Sequence, residues 1–329
     1  MFNQITITMN IKQLIYNTTQ VIIVLSILAF SACKKSKEKT ISTVTEEIGQ
    51  PMFFKISLAQ WSLHKKIRSG EMSPFDFAKE AHALGFEAIE YVSGLYNNEV
   101  KDLGIDEVVK KLKIESEKHG MKNLLIMVDG EGNLASNDEN QLNIALENHK
   151  KWVDAAKALG CHSIRVNAHG EGTYDEVMER AVKGLTKLSE YAITQGINVL
   201  VENHGGYTSN GEWLASVMAK VNMPNCGTLP DFGNFCIKRK KDGCEDEYDK
   251  YKGVKELMPY AKAVSAKSYD FDEHGNETVI DYLRILQTVK DADYSGYIGV
   301  EYEGSRLSEK DGILATKNLL LSIGKQLSK

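Results

Sequence analysis

Four times between residues 82 and 203, a helix-like segment runs into a glycine and then into a short apolar stretch. The copies are HALGFEAIEY (82–91), EKHGMKNLLIMV (117–128), KALGCHSIRVNA (157–168) and TQGINVLVEN (194–203), and their glycines are 35, 40 and 36 residues apart. A glycine in that place suits the left-handed C′ position that ends a helix and turns the chain into a strand. The helix starts agree: Ser73-Pro74 sets a cap before a first-turn proline, and Thr173-x-x-Glu176 reads as a capping box. After Thr173, residues Met178, Ala181, Val182, Leu185, Leu188 and Ala192 recur at helical spacing, which predicts one buried face.

Extending this pattern predicts eight strands: 56–63, 86–91, 122–128, 163–167, 198–202, 226–231, 263–268 and 297–301. Continuous apolar strands alternating with helices imply a parallel sheet covered by helices. Eight such units within residues 53–329 match the size of a single (β/α)8 TIM barrel, an α/β fold. A doubly wound open sheet is the rival, but no G-x-G-x-x-G follows the first strand.

The first 33 residues differ in kind. They hold one charged residue, Lys12, and the apolar run VIIVLSILAF (21–30), about half the length of a spanning helix. Ser31-Ala32-Cys33 follows, an arrangement that resembles a bacterial lipoprotein signal, although Phe30 stands where Leu is usual. Residues 1–33 are therefore expected to be a signal peptide, Cys33 the lipidated residue, and 34–52 a charged, Ser/Thr-rich tether. That would place the protein in the cell envelope, on the periplasmic side of a bacterial membrane, held by lipid alone; a plain secretory signal is the alternative. A net charge of −5 gives nucleic acid no basic footprint. Five cysteines without C-x-x-C spacing exclude a disulfide scaffold and a structural zinc finger. Cys236 and Cys244 bracket a basic loop, KRKK (238–241), and could pair in an oxidising compartment; the run itself reads as a solvated face.

In a barrel the chemistry gathers at the C-terminal strand ends. Glu202, Asp231 and Glu301 stand at three of these ends, each after an apolar run. Three converging carboxylates repel unless a positive charge neutralises them, and oxygen donors suit a hard divalent cation.

At these residues the chain resembles the xylose-isomerase-like barrel superfamily of sugar and sugar-phosphate isomerases and epimerases. The likeness is carried by LVENHGG (200–206), GTLPDFGNF (227–235), VSAKSYD (264–270) and GYIGVEYEG (296–304). It implies one bound metal, Mn2+ first with Mg2+, Co2+ or Zn2+ as alternatives, held by Glu202, Asp231 and Glu301. The family's fourth ligand, a His after strand 7, is replaced by Ser265 in Ser265-Ala266-Lys267. His204, of the same parity as Glu202, could take its place if the strand stays extended. The resemblance also implies proton transfer through an enediolate, with Glu202 and Glu301 as the acid/base pair.

The further substrate-binding candidates are Trp61, Glu90, Asn167, His169, His204 and Lys267. The substrate expected is a small carbohydrate, a keto-sugar or relative, and nucleic acid is not expected as a partner. Hydration or elimination of oxidised 3-keto sugars is the runner-up reading, and a non-catalytic sugar-binding lipoprotein the alternative of another class. The superfamily's endonuclease branch fits poorly, because the 8 His are mostly misplaced for a zinc cluster and the net charge is negative. Oligomeric state is not legible.

Overall fold

The computed structural model describes residues 51–329. The expected signal peptide, Cys33 and nearly all of the tether lie outside the described residues.

Eight parallel strands form the barrel wall: β1 (Lys55–Ala59), β2 (Ala88–Val92), β3 (Lys122–Met127), β4 (Ser163–Val166), β5 (Asn198–Glu202), β6 (Cys226–Leu229), β9 (Val264–Ser268) and β10 (Tyr297–Tyr302). Their order is β6-β5-β4-β3-β2-β1-β10-β9. Parallel bridges Thr228–Ala261 and Asp231–Ser265 join the two outer members, so the ring closes beside Asp231. Between β6 and β9 the chain adds an antiparallel hairpin absent from the sequence-based reading, β7 (Cys236–Lys240) with β8 (Gly243–Glu247). The Cys236–Cys244 disulfide ties it together.

Local rules account for the layout. Gly85, Gly120, Gly160 and Gly196 all adopt positive φ, between 63° and 77°, where a β-carbon would be strained. Thr173 completes its capping box at the head of helix Tyr174–Thr194, and Met178, Ala181, Leu185, Leu188 and Ala192 are buried along one face. Ser73 caps a short 3-10 turn that leads into helix Phe77–Ala83.

Strand alternation then divides the side chains between two environments. Ile89, Ile164, Val199, Val201, Val264, Ile298 and Val300 are buried on the helix-facing side. Burying each contributes about 1.5–3 kcal/mol. The opposite parity turns Ser57, Glu90, Arg165, Glu202, Ser265, Lys267 and Glu301 into the lumen. The first strand ends earlier than expected, at Ala59, and the chain coils into a 3-10 turn at Gln60–Leu63. Buried Gln60 ties this turn to β2 and the turn after it: its amide donates to the Tyr96 hydroxyl and accepts from the Val92 backbone.

Candidate active site

Four carboxylates and two cations meet in the lumen: Glu90, Glu202, Asp231 and Glu301 with Arg165 and Lys267, none more than 4% exposed. Asp231 heads a tight turn in which its Oδ1 accepts from the backbone N–H groups of Gly233 and Asn234, each at 2.8 Å. Its Oδ2 accepts from Ser265 Oγ at 2.7 Å, and the same hydroxyl lies 3.2 Å from Glu301 Oε2. Lys267 Nζ stands 2.6 Å from Glu301 Oε1, 3.2 Å from Glu303 Oε1 and 3.9 Å from Asp231 Oδ2. Across the lumen, Arg165 joins Glu202 (Nε–Oε2 2.8 Å) to Asp129 (Nη1–Oδ1 2.7 Å). Asn234 donates to the other Glu202 oxygen at 3.0 Å, and Asn167 donates to Asp129 at 2.8 Å. At the rim, Trp61 donates its indole N–H to Glu303 and stacks on His64.

The two acid/base candidates sit in unlike fields. Burial pushes Glu202 up to about 7; Arg165 opposes the shift and Glu301 adds to it. Burial also works against the Glu301 carboxylate, but the charge and hydrogen bond of Lys267 outweigh it and hold Glu301 below its ordinary value. Asp231 is raised to about 8 by burial, which Lys267 only partly offsets. Asp129 is lowered to about 2: its burial opposes ionisation, and Arg165 overcomes that. Below this layer, Glu90 accepts from Ser57 Oγ at 2.6 Å, while its second oxygen has no partner. Burial first, then Glu301 and Glu202, push it up to about 7 against the Ser57 bond. Gly299 makes the room, since a β-carbon there would come within 2.7 Å of the Glu90 carboxylate.

Residues 78–322 match the family described as the xylose isomerase-like TIM barrel. The chain belongs to that family. Among solved structures, this xylose isomerase-like barrel superposes on a D-psicose 3-epimerase studied with D-fructose (TM-score 0.63, 11% identity, 83% of this chain and 100% of that one). It also superposes on a 3-keto-D-glucoside 4-epimerase from E. coli (0.62, 12%, 82% and 99%). A third is a xylose isomerase-like barrel protein from Mycobacterium smegmatis in complex with magnesium (0.61, 16%, 84% and 98%). At these identities the likeness establishes the fold. A local match of 41% identity over 61 residues links the chain to the C-glycoside deglycosidase alpha subunit of Arthrobacter globiformis, covering 18% of this chain and only 17% of that one.

The fold brings Glu202, Asp231 and Glu301 into one cluster with Lys267, which lies closer to Glu301 than to Asp231. His204 departs from expectation. β5 ends at Glu202, and Gly205 turns the chain at φ 94°, so His204 stands exposed at the rim. Its backbone oxygen lies 3.1 Å from His169 Nε2 and the two rings lie side by side. The Ser265 hydroxyl lies within hydrogen-bond distance of both Asp231 and Glu301. Asn167 works through Asp129, and its own carbonyl oxygen is buried without a partner. Sequence reasoning assigned no role to Arg165, Asp129, Asn234 or Glu303. Arg165 had a signal: a charge inside the apolar run SIRV, with the parity of Asn167, must face the lumen.

A divalent cation suits this donor set in charge and chemistry. The lumen buries four carboxylates against two cations, and burial first, then the neighbouring carboxylates, raises both Glu202 and Asp231. Three carboxylates and a hydroxyl are all oxygen donors, which favours a hard ion. Among the described residues no three His, Cys, Asp or Glu side chains are spaced to hold an ion as they stand; Arg165 pairs with Glu202 and Lys267 with Glu301.

Proposed function

We propose that this barrel is a carbohydrate isomerase or epimerase that acts on a keto-sugar or related saccharide through an enediolate. One observation carries the reading: two lumen carboxylates are held by unlike partners, Glu202 by Arg165 and Asn234, Glu301 by Lys267 and Ser265. Glu301, ionised beside Lys267, is the base that takes the proton α to the carbonyl. Glu202, raised to about 7, keeps a proton available for return to the opposite face or the adjacent carbon. Environments that separate the pKa values of two carboxylates assign their roles. Lys267 keeps Glu301 ionised, Arg165 orients Glu202, and Asp129 with Asn167 fixes Arg165. Glu202, Asp231, Glu301 and the Ser265 hydroxyl would hold a divalent ion, Mn2+ first, which when bound supplies Lewis acidity to a carbonyl oxygen.

The test is exchange of the α-proton with D2O across a panel of keto-sugars. Glu202→Gln and Glu301→Gln keep size and should each lower exchange about 10²–10⁴-fold while sugar affinity stays measurable. Turnover unchanged in both variants would place the chemistry elsewhere. Exchange lost in one variant, with product formation alone lost in the other, would give the order in which the residues act.

The local likeness to a C-glycoside deglycosidase supports a second reading on the same residues. An enediolate that expels the group on its β-carbon, rather than regaining a proton, gives elimination, and a 3-keto glycoside is the substrate for it. A free aglycone in the product separates lyase from epimerase. The reading also places the enzyme at the cell envelope through Cys33: Cys33→Ala should move it out of the membrane fraction, and unchanged fractionation would remove the anchor.

A further inference from the structure

The hairpin β7–β8 leaves the wall directly after the Asp231 turn, and its base is fixed. Phe235 is fully buried against Gly253, and its carbonyl accepts from the Tyr248 backbone at 2.9 Å. The Cys236–Cys244 bond closes the two strands above that base. A cavity of about 540 Å³ opens beside the hairpin, with Arg239, Lys240, Lys241, Lys250 and Glu247 on its walls. Its inner side is formed by Gly233 and Tyr269. Gly233 donates to Asp231, and a β-carbon on it would strike Lys267 at 2.8 Å, so this cavity abuts the reacting cluster. On the hairpin's other side, Arg239 also borders a cavity of about 340 Å³ with His169 and His204.

The charges here are uneven. Across the hairpin as a whole, the basic run 238–241 is balanced in number by Asp242, Glu245, Asp246 and Glu247. The larger cavity, however, receives four cations and one acid. Lys238 is paired with Glu245 and Lys250 lies 3.8 Å from Glu247, whereas among the described residues Arg239, Lys240 and Lys241 make no ion pair. Three unpaired cations thus border the mouth of a lumen that is itself rich in carboxylate. Such a field repels nothing neutral, and it rewards a ligand whose negative charge lies away from the carbon being deprotonated. The disulfide adds preorganisation, since the cations are presented on a closed hairpin rather than a free loop.

We infer that the disulfide-closed hairpin is an anion subsite, and that the preferred substrate is an acidic saccharide, bearing a carboxylate or a sulfate or phosphate ester, rather than a neutral sugar. This rests on the carbohydrate reading of the lumen. The test compares calorimetric binding of a uronic-acid disaccharide, a sulfated and a phosphorylated disaccharide, and their neutral parent, to the intact protein. Each is measured at low and at about 0.5 M salt. The acidic ligands should bind about tenfold or more tightly than the parent at low salt, lose that advantage at high salt, and lose it in Arg239→Ala/Lys240→Ala/Lys241→Ala. Which acidic ligand gains most identifies the anion. Equal binding of acidic and neutral ligands, no binding of any acidic ligand, or a preference that survives in the triple variant would each overturn the subsite. Acidic ligands that bind as expected but show no α-proton exchange would uphold the subsite and instead count against the isomerase reading.

Discussion

Glu90 shows how much a single lumen residue costs the fold. It is an acid whose folded value lies near 7 against an ordinary 4.5, because burial disfavours its charge. Below pH 4.5 it is protonated in folded and unfolded chains alike and has no effect. As pH rises from 4.5 to 7, the unfolded chain releases the proton first, so stability falls across that window and is level above it. The full loss is about 3 kcal/mol, the free-energy equivalent of moving a carboxyl from 4.5 to about 7. Glu90→Gln keeps the Ser57 partner and removes the charge. It should therefore raise stability at pH 8 by up to about 3 kcal/mol and change little at pH 4.5. Urea unfolding at the two pH values checks this, and an equal change at both would show that charge is not the cause. At this scale the sequence revealed the acids but not their partners. Glu202, Asp231 and Glu301 each follow an apolar run and are readable one at a time. That Arg165 grips Glu202 and Lys267 grips Glu301 depends on how side chains of neighbouring strands meet inside the lumen, which no local pattern encodes.

Among the elements, the barrel strands were legible because each carries an apolar run, and four of them, β2 to β5, follow a helix C-terminal glycine. The hairpin was not, since CIKRK and GCEDE lack both alternation and an apolar face and read as a charged loop. Its order comes from the Cys236–Cys244 bond and the Phe235 anchor. The remaining described cysteines, Cys161 and Cys226, are buried thiols in the wall. Thiol alkylation of the folded protein without reductant should therefore modify none of these four. After mild reduction, Cys236 and Cys244 alone should react. Because the hairpin is peripheral, reduction should shift the main thermal transition by only a few degrees, although a loop of this size is credited with about 2–3 kcal/mol in the chain-entropy account. Peptide mass mapping reads the labelling; alkylation of Cys236 before reduction would mean that the disulfide does not form.

For the molecule as a whole, closing the ring brings together acids from strands far apart in sequence, and the lumen is left short of positive charge. Glu90, Glu202 and Asp231 are all raised, so the folded barrel holds protons that the unfolded chain gives up between about pH 4 and 8. By linkage, a state that binds more protons loses stability as pH rises through that interval. After exhaustive chelation, the protein should melt several degrees lower at pH 8 than near pH 6.5; below that, His149, His162, His169 and His204, all held under their ordinary value chiefly by desolvation, oppose the trend. A divalent ion held by Glu202, Asp231, Glu301 and Ser265 supplies the missing charge and binds only the folded state, so it stabilises by mass action. It competes with protons for the same oxygens, and its effect must therefore grow with pH. Thermal melts at pH 5, 6.5 and 8, each with and without millimolar Mn2+, Mg2+, Co2+ or Zn2+, make the comparison without any assay of activity. The expected outcome is a large upward shift at pH 8 and a small one at pH 5, with Asp231→Asn abolishing the metal-dependent shift. If none of the four ions moves the pH 8 transition, Arg165 and Lys267 are the only cations this lumen uses, and the barrel works without a metal.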